Sequence, residues 1–381
     1  MVNHLGNWRN GELGNFITLK RGFDLPQQKR EDGQVPIFSS SGITGTHSTA
    51  MVNAPGVITG RYGTIGEVFY AAEDFWPLNT TLFVEDFHGN DAKFIYYFLK
   101  TLEWSKFISA SAVPGINRNT VHKETVSLPD IETQRRIAST LSMLDEKIKT
   151  NTEINDNLQR QLRTIFKAEF TDNPELENIT QIPLSELCHV VTKGTTPTTL
   201  GKPFVERGIN FIKAESILDD HSIDKSKFAF IDEETNALLK RSIIHAGDVV
   251  FTIAGTLGRF ALIDENVLPA NTNQAVAIIR ADLEKVLPEY IYTCFIGEWH
   301  TDYYAKRVQQ AVQANLSLTT IKSLPIPLLD EAKMSEYLSL ILPLIKAIKT
   351  NEAQNEKLAA LRDNLLPKLM SGEIDVSAVQ L

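Results

Sequence analysis

A glycine turn that carries a cationic and an aromatic residue is the clearest candidate binding feature of this 381-residue sequence. The segment Thr59-Gly60-Arg61-Tyr62-Gly63-Thr64-Ile65-Gly66 follows a run of β-branched residues. Glycines let a backbone turn tightly and approach a ligand closely, so the turn would hold Arg61 and Tyr62 at its tip. Arginine is one of the side chains that contact phosphates and base edges in nucleic acids. A plain hairpin without a ligand is the alternative.

Polar loops around this turn, and comparable stretches later in the chain, offer the same chemistry. Arg, Lys, Asn, Gln, Ser and Thr make the hydrogen bonds by which proteins contact phosphates and base edges. They are also ordinary loop residues, so both interpretations stay open. The candidate nucleic-acid contacts in the first half are Lys20, Arg21, Ser40, Thr44, His47, Arg61, Tyr62, Asn117, Arg118 and Asn119. Those in the second half are Lys193, Thr195, Thr196, Lys213, Arg259, Gln310, Gln313, Asn315 and Ser317.

Catalytic signatures are weak throughout the sequence. An adenine methyltransferase loop needs Asn/Asp-Pro-Pro-aromatic, and Asp172-Asn173-Pro174-Glu175 lacks the second proline and the aromatic ring. The segment from Gly194 to Lys202 has the wrong spacing for a phosphate-binding P-loop and continues with Pro203. Glu331-Ala332-Lys333 has the letters of a nuclease motif but opens a helix, and the 8 histidines lack metal-ligand spacing. We therefore predict a noncatalytic chain that binds neither a cofactor nor a metal.

The sequence contains a long internal repeat. Gly63–Gly66 returns as Gly255-Thr256-Leu257-Gly258, and Ala254 and Gly255 stand where the first copy has Tyr62 and Gly63. Solenoid repeats span only about 20 to 50 residues, so each copy is a domain with an added segment. Other matching pairs are Asn79-Thr80 with Asn271-Thr272, Ile95-Tyr96 with Ile291-Tyr292, Asn117 with Asn315, and Ile148–Asn151 with Ile348–Asn351. Two similar domains predict two similar sites, in which the turn is structural and its side chains vary.

The first part of each copy is rich in β-branched residues, glycine and turns. Short strands are predicted at 57–59, 67–70 and 81–84, and again at 248–253, 260–263 and 274–279. A helix follows in each copy, near 92–107 and near 288–306. These parts are predicted to be α+β domains.

The second part of each copy has the periodicity of a long helix. Residues 131–170 contain neither Gly nor Pro, and their apolar residues recur at near-heptad spacing. Residues 330–371 repeat the pattern, with Pro343 expected to kink or split the helix. Long apolar stripes need a partner, so the two helices are expected to pair antiparallel, with one globular domain at each end. Their matching asparagines, at 151, 155, 351 and 355, are either buried pairs that fix register or surface residues.

Composition is that of an ordinary globular protein, with 43% hydrophobic residues and a net charge of −9. The charge argues mildly against a protein that coats nucleic acid unaided. No apolar run approaches the about 18 residues that span a bilayer, which predicts a soluble, cytoplasmic protein. Cys188 and Cys294 align with Phe16 and Phe98 of the other copy, and this exchange indicates core positions in a reducing compartment.

The whole chain resembles a specificity subunit of a type I restriction-modification system. The resemblance rests on the order domain, helix, domain, helix and on three segments: Ile58–Gly66 with Pro77–Thr80, Leu128-Pro129 before Gln134-Arg135-Arg136-Ile137, and Leu365–Gly372. The second copy departs from the pattern at Ala254 and Gly255. It also reads Asp330-Glu331-Ala332-Lys333-Met334 in place of Gln-Arg-Arg.

The resemblance implies an α+β fold with two similar target recognition domains and two long antiparallel helices related by a pseudo-two-fold. The expected boundaries are 1–130 and 171–328 for the recognition domains, 131–170 and 329–372 for the helical spacers, and 373–381 for a tail. Such a subunit reads a bipartite, asymmetric site in double-stranded DNA, and the helices set the gap. It docks two methyltransferase subunits and, through them, restriction and translocase subunits. S-adenosylmethionine, ATP and Mg²⁺ are expected in those partners.

Two alternatives remain at the level of the sequence. The chain could serve a methylation-only or phage-exclusion assembly that lacks the nuclease. It could also be a structural adaptor whose end domains bind proteins.

Overall fold

The chain divides into two units, and the division falls within both long helices. The structure, a computed structural model, describes residues 8–109, 114–173, 179–299, 301, 303 and 315–376. The first unit comprises residues 1–148 and 357–381, and the second comprises residues 149–356. Each unit therefore contains one α+β domain and a segment of each long helix.

The strands and short helices of the first unit alternate with tight turns. Its strands are β1 (Arg9–Glu12), β2 (Thr18–Arg21), β3 (Val35–Ser39), β4 (Gly42–His47), β5 (Gly56–Gly60), β6 (Val68–Ala71), β7 (Trp76–Pro77), β8 (Thr81–Asp86) and β9 (Thr125–Leu128). Its helices are α1 (Ala92–Thr101), α2 (Arg118–Val121) and the first part of α3 (Ile131–Phe170).

A four-stranded antiparallel sheet with the order β2-β8-β5-β6 lies at the centre of the first unit. Strand β5 is buried along its whole length, which suits its apolar residues Val57 and Ile58. A smaller sheet joins β3 to β4 in antiparallel and to β7 in parallel orientation. Strands β1 and β9 form a separate antiparallel pair.

Helix α1 packs on this sheet and supplies much of the apolar core of the unit. The Asp91 carboxylate caps it by accepting a hydrogen bond from the backbone N–H of Phe94 at 2.8 Å. The residues of α1 that are buried are Phe94, Ile95, Tyr97, Phe98 and Leu99. The same core includes Leu19, Val57 and Leu82 from the sheet, Ile137 and Leu141 from α3, and Leu369 from the C-terminal helix.

The second unit repeats the elements of the first. Its strands are β10 (Gln181–Pro183), β11 (Cys188–Lys193), β12 (Ile209–Ile212), β13 (Ala229–Ile231), β14 (Ile243–Ile244), β15 (Val249–Thr252), β16 (Phe260–Leu262), β17 (Ala270–Thr272), β18 (Val276–Ala281) and β19 (Pro325–Pro327). Its helices are α4 (Glu233–Leu238), α5 (Pro288–Ile296), α6 (Leu318–Lys322), the last part of α3 and the first part of α7 (Glu331–Met370).

The sheet order of the second unit matches that of the first. Its central sheet is antiparallel with the order β11-β18-β15-β16. A smaller sheet contains a parallel pair, β12 with β17, which corresponds to β3 with β7. Strands β10 and β19 form the separate antiparallel pair. The prediction of two similar α+β domains and two long helices is confirmed.

The helices that follow the central sheets are shorter than the sequence predicted. Helix α1 ends at Thr101 and is followed by a separate 3₁₀ turn, Trp104–Phe107, although the pattern indicated one helix to about residue 107. The aromatic residues that extended the pattern are buried in this turn. Helix α5 ends at Ile296 and is followed by a turn at residues 297–299; Thr301 and Tyr303 are helical again, and residues 300, 302 and 304–306 of the predicted helix lie outside the described part of the chain.

The long helices pair in antiparallel fashion within the second unit. The side-chain amide of Asn151 donates to Asn355 Oδ1 at 2.8 Å, and that of Asn351 donates to Asn155 Oδ1 at 2.8 Å. Asn151 is fully buried and Asn155 is 8% exposed. Of the two sequence-based interpretations, buried asparagine pairs that hold one register therefore agrees with the structure.

Helix α7 continues through Pro343, so the expected split does not occur between Glu331 and Met370. Proline removes the hydrogen bond to the carbonyl four residues earlier, which here belongs to Ser339. Both Pro343 and Ser339 are exposed. Water can therefore reach the freed carbonyl, and the helix tolerates the proline.

The two cysteines are free thiols, with Cys294 buried and Cys188 half-buried. Both belong to or pack against the apolar core of the second unit. Within the described ranges, no helix is long and apolar enough to cross a membrane.

Candidate nucleic-acid interface

The turn after β5 is held by glycine geometry. A Cβ atom at Gly60 would lie 1.9 Å from the Thr64 carbonyl oxygen, so only glycine permits this close approach. Gly63 has φ of 74°, in the left-handed region that favours glycine. The next two side chains after Gly60, those of Arg61 and Tyr62, are half-exposed. The turn thus presents these two side chains to solvent, as the sequence predicted.

Arg61 is anchored through both its backbone and its side chain. Its N–H donates to the Thr80 carbonyl at 2.9 Å, and its carbonyl accepts from the Ile116 N–H at 3.1 Å. The guanidinium Nε then donates back to the Ile116 carbonyl at 3.3 Å. Arg61 and Ile116 therefore form a reciprocal pair that fixes the root and the head of the arginine side chain.

Tyr62 completes a stack with Arg61. The guanidinium carbon lies 4.4 Å from the centroid of the Tyr62 ring, within cation–π distance. The ring also packs closely against the backbone of Gly115, where an added Cβ would lie 2.2 Å from a ring carbon. Tyr62 and Gly115 also form an isolated antiparallel bridge. Tyr62 therefore contacts both the Gly115 backbone and the Arg61 guanidinium.

This stack borders a concavity of about 730 Å³ whose lining is rich in positive charge. Lys20 is paired with Glu85 at 2.5 Å. Arg21, Arg61 and Arg118, which also line the concavity, have no carboxylate partner among the residues that the structure describes. A concave surface with several unneutralised cations attracts anions such as phosphate groups.

His122 links two of the elements that carry these cations. It follows α2, which begins with Arg118, and its Nε2 accepts a hydrogen bond from the Leu19 N–H of β2 at 2.9 Å. Burial lowers the pKa of His122, and the positive charge of Arg118 lowers it further. Because Nε2 accepts this hydrogen bond, the imidazole ties the end of α2 to β2 and leaves the Arg118 side chain exposed.

The other candidates of the first unit have different surroundings. Ser40 lies beside the glycine turn, with its Oγ 3.3 Å from the position of a Cβ at Gly63. Thr44 is exposed on β4. Asn117 caps α2 by accepting from the backbone N–H of Asn119 at 3.0 Å, and both residues are exposed.

His47 is a core residue and not an exposed polar loop residue. It is 5% exposed, and its ring lies edge-on to Trp76 at 5.1 Å. Its Nδ1 accepts a hydrogen bond from the Glu31 N–H at 3.1 Å. The side chain therefore braces β4 and the loop before β3. Burial of this kind depends on tertiary packing, which the local sequence around His47 does not predict.

The second unit builds the same turn with different side chains. Gly255 and Gly258 have φ values of 78° and 84°, close to the 74° and 88° of Gly63 and Gly66. At the backbone position of Arg61 the second unit has Ile253, which is 2% exposed. The two positive-φ glycines of the turn are thus repeated, although Thr252 stands at the position of Gly60, and the exposed cation is replaced by a core residue.

Backbone hydrogen bonds also correct one pairing of the sequence repeat. Ile253 accepts from the Leu316 N–H at 2.9 Å, as Arg61 accepts from Ile116. Ser317 caps α6 by accepting from the Thr320 N–H at 3.0 Å, as Asn117 caps α2. Asn117 therefore corresponds to Ser317 and not to Asn315. The sequence pairing followed the shared residue type, whereas the shared structural role lies two residues later.

Two of the three candidate cations of the second unit are paired with neighbouring acids. Arg259 donates to both carboxylate oxygens of Asp219, at 2.6 and 2.7 Å. Lys213 is paired with Glu215 at 2.5 Å. Lys193 is exposed on β11. The candidate cations of the two units therefore differ, because those of the first unit are mostly unpaired and two of those in the second are held by carboxylates.

The remaining candidates of the second unit are polar loop residues. Thr195 accepts a hydrogen bond from Arg241 at 3.4 Å, and Thr196 is bonded to Gln274. Asn315 is exposed. Gln310 and Gln313 lie outside the described residues.

Three residues that organise the candidate site were missed in the sequence. Gly115 and Ile116 hold the Tyr62 and Arg61 side chains, and Asp219 neutralises Arg259. The available signal was slight. The apolar residue Ile116 recurs as Leu316 in the second copy, but Asn315 replaces the glycine before it, and Asp219 belongs to an aspartate pair in a loop. Within the described ranges, no group of three or more His, Cys, Asp or Glu residues is arranged to hold a metal ion.

Comparison with known proteins identifies the family. The sequence model of the family described as type I restriction modification DNA specificity domain matches residues 6–160 and 177–360. The chain belongs to this family. The two matched segments place one copy of the family domain in each half of the chain.

Several members of the family are similar over most of their length. The MjaIX specificity subunit of Methanocaldococcus jannaschii is 24% identical over 313 residues, which cover 76% of this chain and 70% of that protein. The MjaVIII specificity subunit of the same organism is 22% identical over an alignment that covers 97% of this chain and 93% of that protein. The crystal structure of the type I S subunit from M. genitalium has a TM-score of 0.60 at 16% identity and 97% coverage of both chains. That likeness establishes the shared fold.

Proposed function

We propose that this chain is the noncatalytic DNA-reading subunit of a type I restriction-modification assembly and recognises a bipartite, asymmetric target. The observation that carries the proposal is the pair of matching turns. One fold occurs twice, but its exposed turn carries Arg61 and Tyr62 in one unit and Ile253 and Ala254 in the other. Equal scaffolds with unequal side chains suit the recognition of two different half-sites.

Base readout in DNA occurs where side chains reach the edges of base pairs, while phosphate contacts set position. The concavity of the first unit offers both kinds of side chain, with Arg21 and Arg118 exposed and Arg61 stacked. The net charge of −9 is unusual for a chain that binds DNA alone. It suits a subunit whose partners neutralise many of the phosphates.

The long helices are the proposed docking surface for methyltransferase subunits. Each carries large apolar side chains that are exposed, namely Met143 (43%) and Ile154 (43%) on α3 and Leu340 (52%) and Leu361 (47%) on α7. Exposed apolar groups on a helix favour burial against a partner. S-adenosylmethionine, ATP and Mg²⁺ belong, in this proposal, to the methyltransferase and to a nuclease or translocase that joins it.

Co-expression with an adenine methyltransferase from the same genome tests the proposal. Sequencing of the modified bases in the host genome should reveal one motif with two unlike specific halves and an unspecified gap. The isolated chain should transfer no methyl group, and the methyltransferase without it should not modify that motif.

A single uninterrupted motif, or methylation that does not depend on this chain, would contradict the proposal. Assembly with the methyltransferase but no specific DNA binding would favour the adaptor function. A complete motif without restriction activity would place the chain in a methylation-only system.

A further inference from the structure

The guanidinium of Arg61 is held so that only one of its hydrogen-bonding edges remains available. Its Nε is bonded to the Ile116 carbonyl at 3.3 Å, which occupies the edge nearest the chain. The two terminal nitrogens have no hydrogen-bond partner among the described residues. They point away from this bond because the guanidinium is planar, and together they form a two-donor fork.

The position of this fork is fixed before any ligand binds. The Tyr62 ring centroid lies 4.4 Å from the guanidinium carbon, and the ring itself packs closely against the backbone of Gly115. A flexible arginine loses side-chain entropy when it binds, whereas a stacked and hydrogen-bonded one has already lost it. Arg61 is therefore built for a directional contact.

Arg21 and Arg118 provide the contrast at the same concavity. Both are exposed, and no stacking or ion-pair partner holds them among the described residues. Mobile cations of this kind make phosphate contacts, which need charge more than orientation. The chemical division at the concavity is thus between one oriented fork and two mobile charges.

We infer that Arg61 recognises a guanine in the DNA half-site bound by the first unit, through the O6 and N7 atoms that face the major groove, with Tyr62 and Gly115 as positioning residues. This inference rests on the proposed function. Guanine presents two adjacent acceptors in the major groove, and a bidentate arginine matches them. Adenine, cytosine and thymine do not present such a pair, so the fork selects one base.

At the equivalent turn, the described residues of the second unit offer no counterpart of this arginine. Ile253 occupies the equivalent backbone position and is buried, and Ala254 follows it where the first unit has the aromatic shelf. The guanine contact therefore distinguishes the two half-sites. It accounts for an asymmetric target through a single difference at one turn.

Binding of the assembled complex to modified duplexes tests the inference, once the target has been read from the methylated genome. Each guanine of the half-site is replaced in turn by 7-deazaguanine, which lacks the N7 acceptor, and separately by inosine, which keeps O6 and N7. One 7-deazaguanine position should weaken binding about 5- to 150-fold, the range of a good bidentate contact. Inosine at that position should bind like guanine.

Variants of the chain assign the effect to the stack. Arg61→Ala should bind the guanine and 7-deazaguanine duplexes alike, because the donor to guanine N7 is removed. Tyr62→Phe should retain the discrimination, whereas Tyr62→Ala and Gly115→Ala should reduce it. Arg118→Ala is the matched control, because it should weaken binding to both duplexes equally and leave the discrimination intact.

A different set of results would overturn the inference. If Arg61 contacts a phosphate, no effect of a 7-deazaguanine substitution will depend on Arg61. Arg61→Ala will then weaken binding to all duplexes alike, and Arg61→Lys will keep most of the wild-type affinity. If binding by the wild type but not by Arg61→Ala is weakened by inosine, Arg61 contacts the minor groove, because inosine lacks the N2 amino group of guanine. Failure of the proposed function is distinct, since the wild-type complex would then show no preference for any sequence.

Discussion

The turns at Gly60–Gly66 and Thr252–Gly258 show how one scaffold can carry two different surfaces. Both turns have glycines with nearly equal positive φ values, and both accept the same backbone hydrogen bond from the segment that precedes a short helix. In the first unit the position after the strand is a stacked arginine, and in the second it is a buried isoleucine. Backbone geometry is thus preserved while the chemistry at its tip changes.

The difference extends to charge. The first unit leaves Arg21, Arg61 and Arg118 without carboxylate partners in the described chain, whereas the second pairs Arg259 with Asp219 and Lys213 with Glu215. Electrostatic attraction to DNA should therefore come mainly from the first unit. The second unit would depend more on uncharged polar contacts.

The largest expected effect separates the cores of the two units. Leu141 and Leu162 are both fully buried in α3, but Leu141 belongs to the core of the first unit and Leu162 to that of the second. Replacement of either by alanine should cost about 2–5 kcal/mol of stability. Hydrogen exchange should rise in β5 and β8 for Leu141→Ala and in β15 and β18 for Leu162→Ala. Equal increases in both units for each variant would show that the cores are not independent.

Acid should weaken the second unit through His221. Burial is the main cause that lowers the pKa of this residue to about 4, and the positive charge of Arg163 contributes. Its ring is stacked on Phe260 at 4.0 Å. In the unfolded chain the pKa is about 6.5, so the unfolded state takes up a proton first as the pH falls. Stability present above pH 6.5 should therefore decline between about pH 6.5 and pH 4, by about 3 kcal/mol in total.

Urea unfolding of His221→Phe across this pH range measures the contribution. The variant keeps a ring against Phe260 but cannot be protonated, so its stability should fall less than that of the wild type. The control is His189→Gln, whose exposed side chain should leave the wild-type decline in place. If the free energy of unfolding falls equally with pH for wild type and His221→Phe, His221 is not the source of the acid sensitivity.

The sequence predicted more of the scaffold than of the site. The repeat identified two α+β domains and two long helices because backbone periodicity and glycine turns are local properties. The glycine turn also located Arg61 and Tyr62. Support for that turn comes from Gly115 and Ile116, far along the chain, and a local pattern carries no signal of such contacts.

The sequence could not predict whether a polar side chain is exposed and unpaired, and therefore free to bind a ligand. His47 and Arg259 were both polar loop residues by pattern, but one is buried against Trp76 and the other is paired with Asp219. Each partner lies tens of positions away in the chain, so the pairing exists only after folding. The match of Asn117 with Asn315 was wrong by two residues for a related reason, since a helix cap can be made by either Asn or Ser.

The smallest expected effect tests the charge difference between the units. Asp219→Asn removes the carboxylate partner of Arg259 and frees that guanidinium for a phosphate. The slope of log affinity for nonspecific DNA against log salt should steepen by up to about 0.9. Stability should hardly change, because Asp219 is exposed and such ion pairs contribute about 0–1 kcal/mol. An unchanged slope would show that Arg259 does not face the DNA.

Duplication of one recognition domain tests most directly the claim that each unit reads its own half-site. In a chain whose residues 8–130 are replaced by a second copy of residues 179–328, both units carry Ile253 and neither carries Arg61. Methylated-base sequencing of a host that expresses this chain with the methyltransferase should reveal a target in which both halves have the sequence of the original second half. Retention of the original first half-sequence would contradict the account.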